Sequence, residues 1–302
     1  MSIIDLEQTK DHIIKWLQDY TKNAGTKTFI VGLSGGIDSA LTALLCKQTH
    51  IPTICVALPC HSSESSLKRA TAFAKDFELD LITINLTNAN DSILQQIHNI
   101  STLPTALTTI GMNNPVAIGG LRSCLRTPAL SYLSLSTNGL IVGTGNRSED
   151  HLIRYFQKFG DGCVDICPIS DLFKNEVYAL FAHITRLNFF NDGNTQSILG
   201  PQSAIDIYNA TPTADLWDIE EQTDEKELGL SYDEIEWADR QDMQNGIIIS
   251  ADDPTRHRAW IGYTVRQREV IAKMHQMEKS SRHKYNSTLP ICELRNIKSL
   301  VR

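Results

Sequence analysis

Thr28-Phe29-Ile30-Val31-Gly32-Leu33-Ser34-Gly35-Gly36-Ile37-Asp38-Ser39 is the stretch on which the fold turns. Residues 28–33 form a short apolar run, the pattern of a buried strand. The run ends in Ser-Gly-Gly, and residues 39–48 then carry Ala40, Leu41, Ala43, Leu44 and Leu45 at helical spacing. A strand therefore enters a helix through a glycine turn. Glycines there let backbone N–H groups converge on an anion, and the helix N-terminus adds favourable partial charge. Serine hydroxyls supply further donors. Asp38 is out of place in an anion cradle unless a divalent cation lies between it and the anion. That combination points to a magnesium-bound nucleotide. The turn is not of the Walker type, because no Lys-Ser/Thr follows the glycines.

Outward from this turn the chain alternates. Ile13, Trp16, Leu17 and Tyr20 fall at i, i+3, i+4 and i+7 and predict an amphipathic helix. After the glycine turn come a predicted strand over 53–58, a helix over 65–77 and a strand over 80–85. A strand over 140–143 and a helix over 175–185 follow. Strands alternating with helices of about 10–15 residues imply a parallel sheet covered on both faces. Residues 101–120, rich in Thr, Asn, Pro and Gly, read as a loop, and 188–202 as a linker or lid. The last third is helical and more charged, with Ser231 and Glu234 at capping-box spacing before Ile235. No internal repeat appears, so residues 1–302 read as one doubly wound parallel α/β domain with helical C-terminal additions.

Composition narrows the function classes. The 302 residues are 41% hydrophobic and 21% charged, with a formal net charge of −7. An acidic balance opposes a nucleic-acid partner, whose phosphates select a basic face. No run approaches the roughly 20 apolar residues of a membrane span, and the first residues lack the pattern of a secretory signal. Cys46, Cys55, Cys60, Cys124, Cys163, Cys167 and Cys292 are odd in number and irregularly spaced, which reads as reduced thiols in a cytoplasm. Cys163 and Cys167 are the only close pair. With no second pair or histidine partner, they read as small buried apolar residues, not as a zinc site.

The glycine turn resembles the pyrophosphate loop of the N-type ATP pyrophosphatases, which cleave ATP between its alpha and beta phosphates and adenylate a substrate. Further blocks follow in order. They are Gly143-Thr144-Gly145-Asn146-Arg147-Ser148-Glu149, then Lys158-Phe159-Gly160-Asp161-Gly162-Cys163-Val164-Asp165, then Pro168-Ile169 with Lys174. Pro212-Thr213-Ala214-Asp215-Leu216-Trp217 and Gln222-Thr223-Asp224-Glu225 come next, then residues 227–234 and His283-Lys284. Each block alone is weak; together, in this order, they resemble ammonia-dependent NAD synthetases over most of the chain.

The resemblance implies an adenine nucleotide alpha-hydrolase type of fold and ATP-dependent amidation of deamido-NAD by ammonia. By position it implies that Gly32, Leu33, Ser34, Gly35, Gly36, Ile37, Asp38 and Ser39 hold ATP together with Thr144, Lys174 and Thr213. It makes Asp38 and Glu149 the Mg2+ ligands, and it places Arg126, Lys158, Asp165, His283 and Lys284 on deamido-NAD. The family usually works as a homodimer. Asp38, Lys174 and Asp165 form the expected catalytic set. Transfer to AMP activates a carboxylate that is otherwise a poor electrophile, and magnesium with a lysine offsets charge on the departing pyrophosphate. Asp165 is the candidate to bind ammonium and take a proton. Water must be kept from the adenylate, and the loops around Asn113 and Gly193 are candidate lids. With the first strand near residue 28, no fused glutaminase is expected, so ammonia comes from solution or from a partner.

One block departs from the family pattern. Relatives usually carry Asn-x-x-Ala-Arg-x-Arg ahead of the threonine strand, its first arginine touching deamido-NAD. Here Gly120-Leu121-Arg122-Ser123-Cys124-Leu125-Arg126 puts Cys124 in that place, with Arg122 as a possible stand-in and Pro128 predicting a kink or restart. Residues 241–258 lengthen the C-terminal part. Two other readings stay open: a pyrophosphatase of the same group acting on another carboxylate or on tRNA, and a non-catalytic ATP sensor.

Overall fold

Asp5 starts the first helix by accepting the Gln8 N–H at 3.2 Å, and Gly25, at φ 69°, ends it in the left-handed conformation. In the computed structural model, residues 4–100, 102, 104, 114–191, 196–213, 223–245, 255, 258–281 and 284 are described. The first half alternates α1 (Leu6–Ala24), β1 (Thr28–Gly32), α2 (Ile37–Gln48), β2 (Thr53–Ala57), α3 (Glu64–Asp76), β3 (Asp80–Thr83) and α4 (Thr87–His98). Then come α5 (Pro115–Thr137), β4 (Gly139–Val142), a π-helical turn (Arg147–Ile153) and α6 (Lys174–Thr185). The remainder is β5 (Asn188–Asn191), β6 (Gln196–Leu199), α7 (Gln202–Tyr208), α8 (Asp224–Leu228), α9 (Tyr232–Asn245), a 3-10 turn (Arg258–Gly262) and α10 (Val265–Ser281).

Four strands form a parallel sheet in the order β3-β2-β1-β4. Alternation along β1 sends Phe29 and Val31 into the core under α1, α2 and α6, while Ile30 joins Val56 and Leu58 against α5. Both faces are thus covered, as the apolar strands require. The chain leaves β1 toward β2 on one side and returns to β4 on the other. That reversal opens a crevice beyond the C-terminal ends of β1 and β4, the position where such sheets hold ligands.

Three expectations change. The loop expected over 101–120 gives way to helix from Pro115, where Asn114 caps the Val116 N–H at 2.9 Å and proline occupies the first turn. Helix α5 runs through Pro128 without a restart, losing at that point one backbone donor of the helical ladder. The linker expected over 188–202 contains an antiparallel hairpin, with Phe189 opposite Ile198 and 5.2 Å from the Tyr208 ring. Asn113 and Gly193, the candidate lids, lie outside the described residues.

The C-terminal helices build a separate apolar cluster of Leu228, Leu230, Ile235, Val270, Ile271 and Met274, which takes in Ile153 from the π-helical turn. The capping box forms as expected: Ser231 N–H donates to Glu234 at 3.0 Å and Glu234 N–H to the Ser231 hydroxyl at 3.2 Å. Helix α9 is also tied to the core by Glu236, only 2% exposed, which accepts from the Asn175 N–H at 3.2 Å. Burial pushes its carboxyl up to about 7 from an ordinary 4.5. The unfolded chain ionises near 4.5, so this side chain's contribution to stability is lost as pH rises from there to about 7. Glu236→Gln keeps an acceptor without the charge. Thermal melts should find the variant about equal to the native chain at pH 5 and more stable at pH 8, by on the order of 2–3 kcal/mol.

Candidate active site

The turn after β1 is held by its own hydroxyls. Ser39 Oγ donates to the Gly36 carbonyl at 2.9 Å and accepts the Ser34 N–H at 3.2 Å, while Gly36 N–H donates to Ser34 Oγ at 3.2 Å. Gly35 sits at φ 86°, and a Cβ there would lie 2.3 Å from the Ser66 carbonyl oxygen of α3. The contact brings Arg69 of α3 to the turn, its Nε donating to the Gly35 carbonyl at 3.1 Å. Helix α2 begins here with no side-chain cap, so its first N–H groups face the crevice.

After β4 the chain makes a second turn. Gly145 is required by proximity: an added Cβ would overlap the Asp150 carboxylate at 1.5 Å. Asn146, fully buried, joins the two turns. Its amide donates to Asp38 Oδ1 at 2.9 Å, and its carbonyl accepts the Glu149 N–H at 3.1 Å to start the π-helical turn. A π-helical turn carries one residue more than an α-helical one and is common at functional sites.

The two turns converge on Lys174, the first residue of α6. Its Nζ lies 2.7 Å from Asp38 Oδ2 and 2.8 Å from Glu149 Oε1, and the side chain is 4% exposed. Burial alone would lower the lysine, but the two carboxylates outweigh it and hold it as ammonium. Glu149 stays below the usual carboxylate range, because Lys174 and the Tyr232 hydroxyl outweigh burial. Burial, with Glu149 close by, pushes Asp38 up. One ammonium between two carboxylates leaves one negative charge in surplus.

These groups open into a cavity of about 290 Å³ lined by the glycine turn, Thr144, Arg69, Arg126, Thr213 and Asp224. Of the residues expected at ATP, all but Gly35 line this space, and Gly35 shapes it from behind. Of those expected at the second substrate, Arg126 alone lines it among the described residues. Lys158 is exposed, with its ammonium 5.8 Å from the Phe159 ring. Asp165 is exposed and accepts the Ile141 N–H at 2.7 Å, extending the edge of β4 outside the cavity lining. Lys284 donates to the Arg154 and Phe156 carbonyls at 3.1 and 2.7 Å. His283 lies outside the described residues. Arg122, 4% exposed, does not line the cavity. Sequence reading assigned no role to Arg69, Asn146, Asp150, Asp224 or Tyr232. All but Arg69 and Asp150 lie in motif blocks, yet their burial and partners depend on folding.

A family model described as NAD synthase matches residues 9–288. Over 234 residues the chain is 32% identical to the NH(3)-dependent NAD(+) synthetase of Carboxydothermus hydrogenoformans, spanning 77% of this chain and 85% of that one. Among solved structures, NMN synthetase from Francisella tularensis superposes with a TM-score of 0.71 at 25% identity, covering 94% of this chain and 98% of that chain. NH3-dependent NAD synthetase from Campylobacter jejuni shares the fold with a TM-score of 0.63 at 20% identity, covering 95% and 99%.

The Gly35 geometry is directly testable. Gly35→Ala forces a side chain into positive φ and against backbone of α3, at a cost of about 1–3 kcal/mol. Calorimetry should find ATP binding lost or strongly weakened. Native affinity in the variant would mean that the turn has room to relax.

Proposed function

The chain belongs to the NAD synthase family and is a ligase that forms a carbon–nitrogen bond, and we propose that it converts deamido-NAD to NAD with ATP and ammonia. The observation that carries the site assignment is the convergence of Asp38, Glu149 and Lys174 beside a glycine turn built for an anion. ATP binds with its phosphates against Ser34–Ser39, where serine hydroxyls and the start of α2 supply donors. Asp38 and Glu149 are the residues that would hold Mg2+. Their oxygens reach one point, the donor type suits a hard cation, and the surplus negative charge calls for one. When bound, the metal withdraws charge from the departing pyrophosphate.

Lys174 keeps its proton and turns from the carboxylates to the phosphates as they arrive. Arg126 and Arg69 add positive charge to the cavity rim. The substrate carboxylate attacks the alpha phosphorus and pyrophosphate leaves; ammonia then displaces AMP from the adenylate. Asp224 lines the cavity and is pushed up to about 6 by burial and by Glu149. We assign it the proton of the incoming ammonium, in place of Asp165, which is tied to the backbone of β4.

The chain acts as a homodimer in this reading. Helix α5 leaves Val116, Tyr132 and Leu135 exposed, Leu135 at 84%, on a helix whose other face is core, and a second copy would cover them. The described cysteines are free thiols, which supports a reducing, cytoplasmic location. No helix among the described residues is long and apolar enough to cross a membrane.

A second reading of the acceptor has its own support. The match to an NMN synthetase covers nearly both chains, and Cys124 stands where an arginine was expected on the dinucleotide. In that reading the acid is nicotinic acid mononucleotide. Pyrophosphate release with Mg-ATP and ammonium, measured against each acid in turn, separates the two. We expect release that depends on deamido-NAD with NAD formed in equal amount; dependence on the mononucleotide alone would move the acceptor. Asp38→Asn should cut turnover about 100-fold or more while circular dichroism still finds the chain folded. Leu135→Glu should halve the mass found by sedimentation, and a native dimer in that variant would place the interface elsewhere.

A further inference from the structure

Three consecutive residues of the π-helical turn are each held by a different turn of α9. Arg147 Nε donates to Asp239 Oδ2 at 3.0 Å, Ser148 Oγ donates to Glu236 Oε1 at 3.4 Å, and the Tyr232 hydroxyl donates to Glu149. Positions 232, 236 and 239 are i, i+4 and i+7, one face of a helix. The face is polar, yet Ile235 and Ala238 beside it are buried in the apolar cluster that includes Ile153. A polar stripe at a buried seam is expensive unless each group finds its partner. Here each does, and the partners end at Glu149.

Tyr232 closes that ladder at the site. Its ring lies 5.2 Å from the Lys174 ammonium, within cation–π range. Its hydroxyl also lies 3.1 Å from Asp224 Oδ2. A phenol has one proton, so it donates to one carboxylate while the other is near enough to compete. The side chain therefore touches Glu149, Lys174 and Asp224 at once, although it comes from the C-terminal helices and does not line the cavity.

We propose that Tyr232 is a positioning residue: its hydroxyl fixes Glu149 in the orientation that receives the divalent cation, and its ring keeps Lys174 over the same point. The inference rests on the assignment of Asp38 and Glu149 as the cation's ligands. Groups that orient a metal ligand typically contribute about 10–100-fold in metal affinity.

The test is ATP binding by calorimetry over a series of Mg2+ concentrations, and without Mg2+ in chelator, for the native chain, Tyr232→Phe and Glu149→Gln. Tyr232→Phe keeps the ring and removes only the hydroxyl. The expected result is an apparent Mg2+ constant weakened about 10-fold or more in Tyr232→Phe, with metal-free ATP binding and melting temperature unchanged. A merely structural role would lower the melting temperature and move both ATP titrations together. A native Mg2+ constant in Tyr232→Phe, with Glu149→Gln weakened, overturns the positioning role and leaves the ligand assignment standing. Native constants in both variants overturn the ligand assignment and this inference with it.

Discussion

A single ammonium, Lys174 Nζ, between the carboxylates of Asp38 and Glu149 is the interaction on which the rest of the structure depends. The three residues come from the start of α2, the π-helical turn and the start of α6, and they meet only where the sheet reverses direction. Burying them is costly unless all three are present. Removing one member of a buried pair typically costs about 3–5 kcal/mol, because the other charge is left uncompensated. The same triplet fixes the spacing of the two turns that shape the cavity, with Asn146 as a neutral brace between them. Because the positive charge falls one short, the site is assembled yet still electrostatically incomplete.

That shortfall explains how an acidic chain accommodates an anionic nucleotide. Asp150, Asp161 and Asp224 line the cavity along with Asp38 and Glu149, against Arg69, Arg126 and Lys174. Phosphates entering such a space meet repulsion, which the divalent cation proposed for Asp38 and Glu149 would offset. Burial pushes Asp150 well above the usual carboxylate range, with Asp161 and Glu149 adding to it. A surplus of carboxylates also draws small cations, ammonium among them, into the space where they are used.

The C-terminal helices are tied to this centre by polar groups and not only by apolar packing. Their own cluster forms around Ile235, Val270, Ile271 and Met274 and reaches the π-helical turn through Ile153. Arg147 lies between Asp171 and Asp239, at 2.9 and 3.0 Å, and its guanidinium is 5.5 Å from the Phe173 ring. Arg154 Nη1 donates to the Glu278 carbonyl of α10 at 3.1 Å. The turn that presents Glu149 is thus fastened on both sides, and the extra residue of its π-geometry is stabilised by contacts distant in sequence.

Much of the fold was legible in the sequence. The parallel sheet and the glycine turn follow from local rules: apolar runs alternating with helical ones, and glycines where a strand enters a helix. Helix starts and the Ser231–Glu234 box are likewise local, although the Asn114-Pro115 start was hidden by the composition around it. Other features had no local signature. The Phe189–Ile198 pairing is a contact between segments that read as linker, and it depends on Tyr208 to cover it. Asp165 was expected to take a proton from ammonium; in the fold its Oδ2 accepts the Ile141 N–H, and it lies outside the cavity lining. Tyr232 lay in a motif block without a role, and Glu236 and Asp239 read as part of a charged helical third. The sequence by itself determined the sheet, the cradle and the types of charge available. Only the tertiary structure decided which carboxylates share Lys174 and which helix face holds Glu149, because burial and partnership between residues 25, 83 and 136 positions apart are properties of the folded chain.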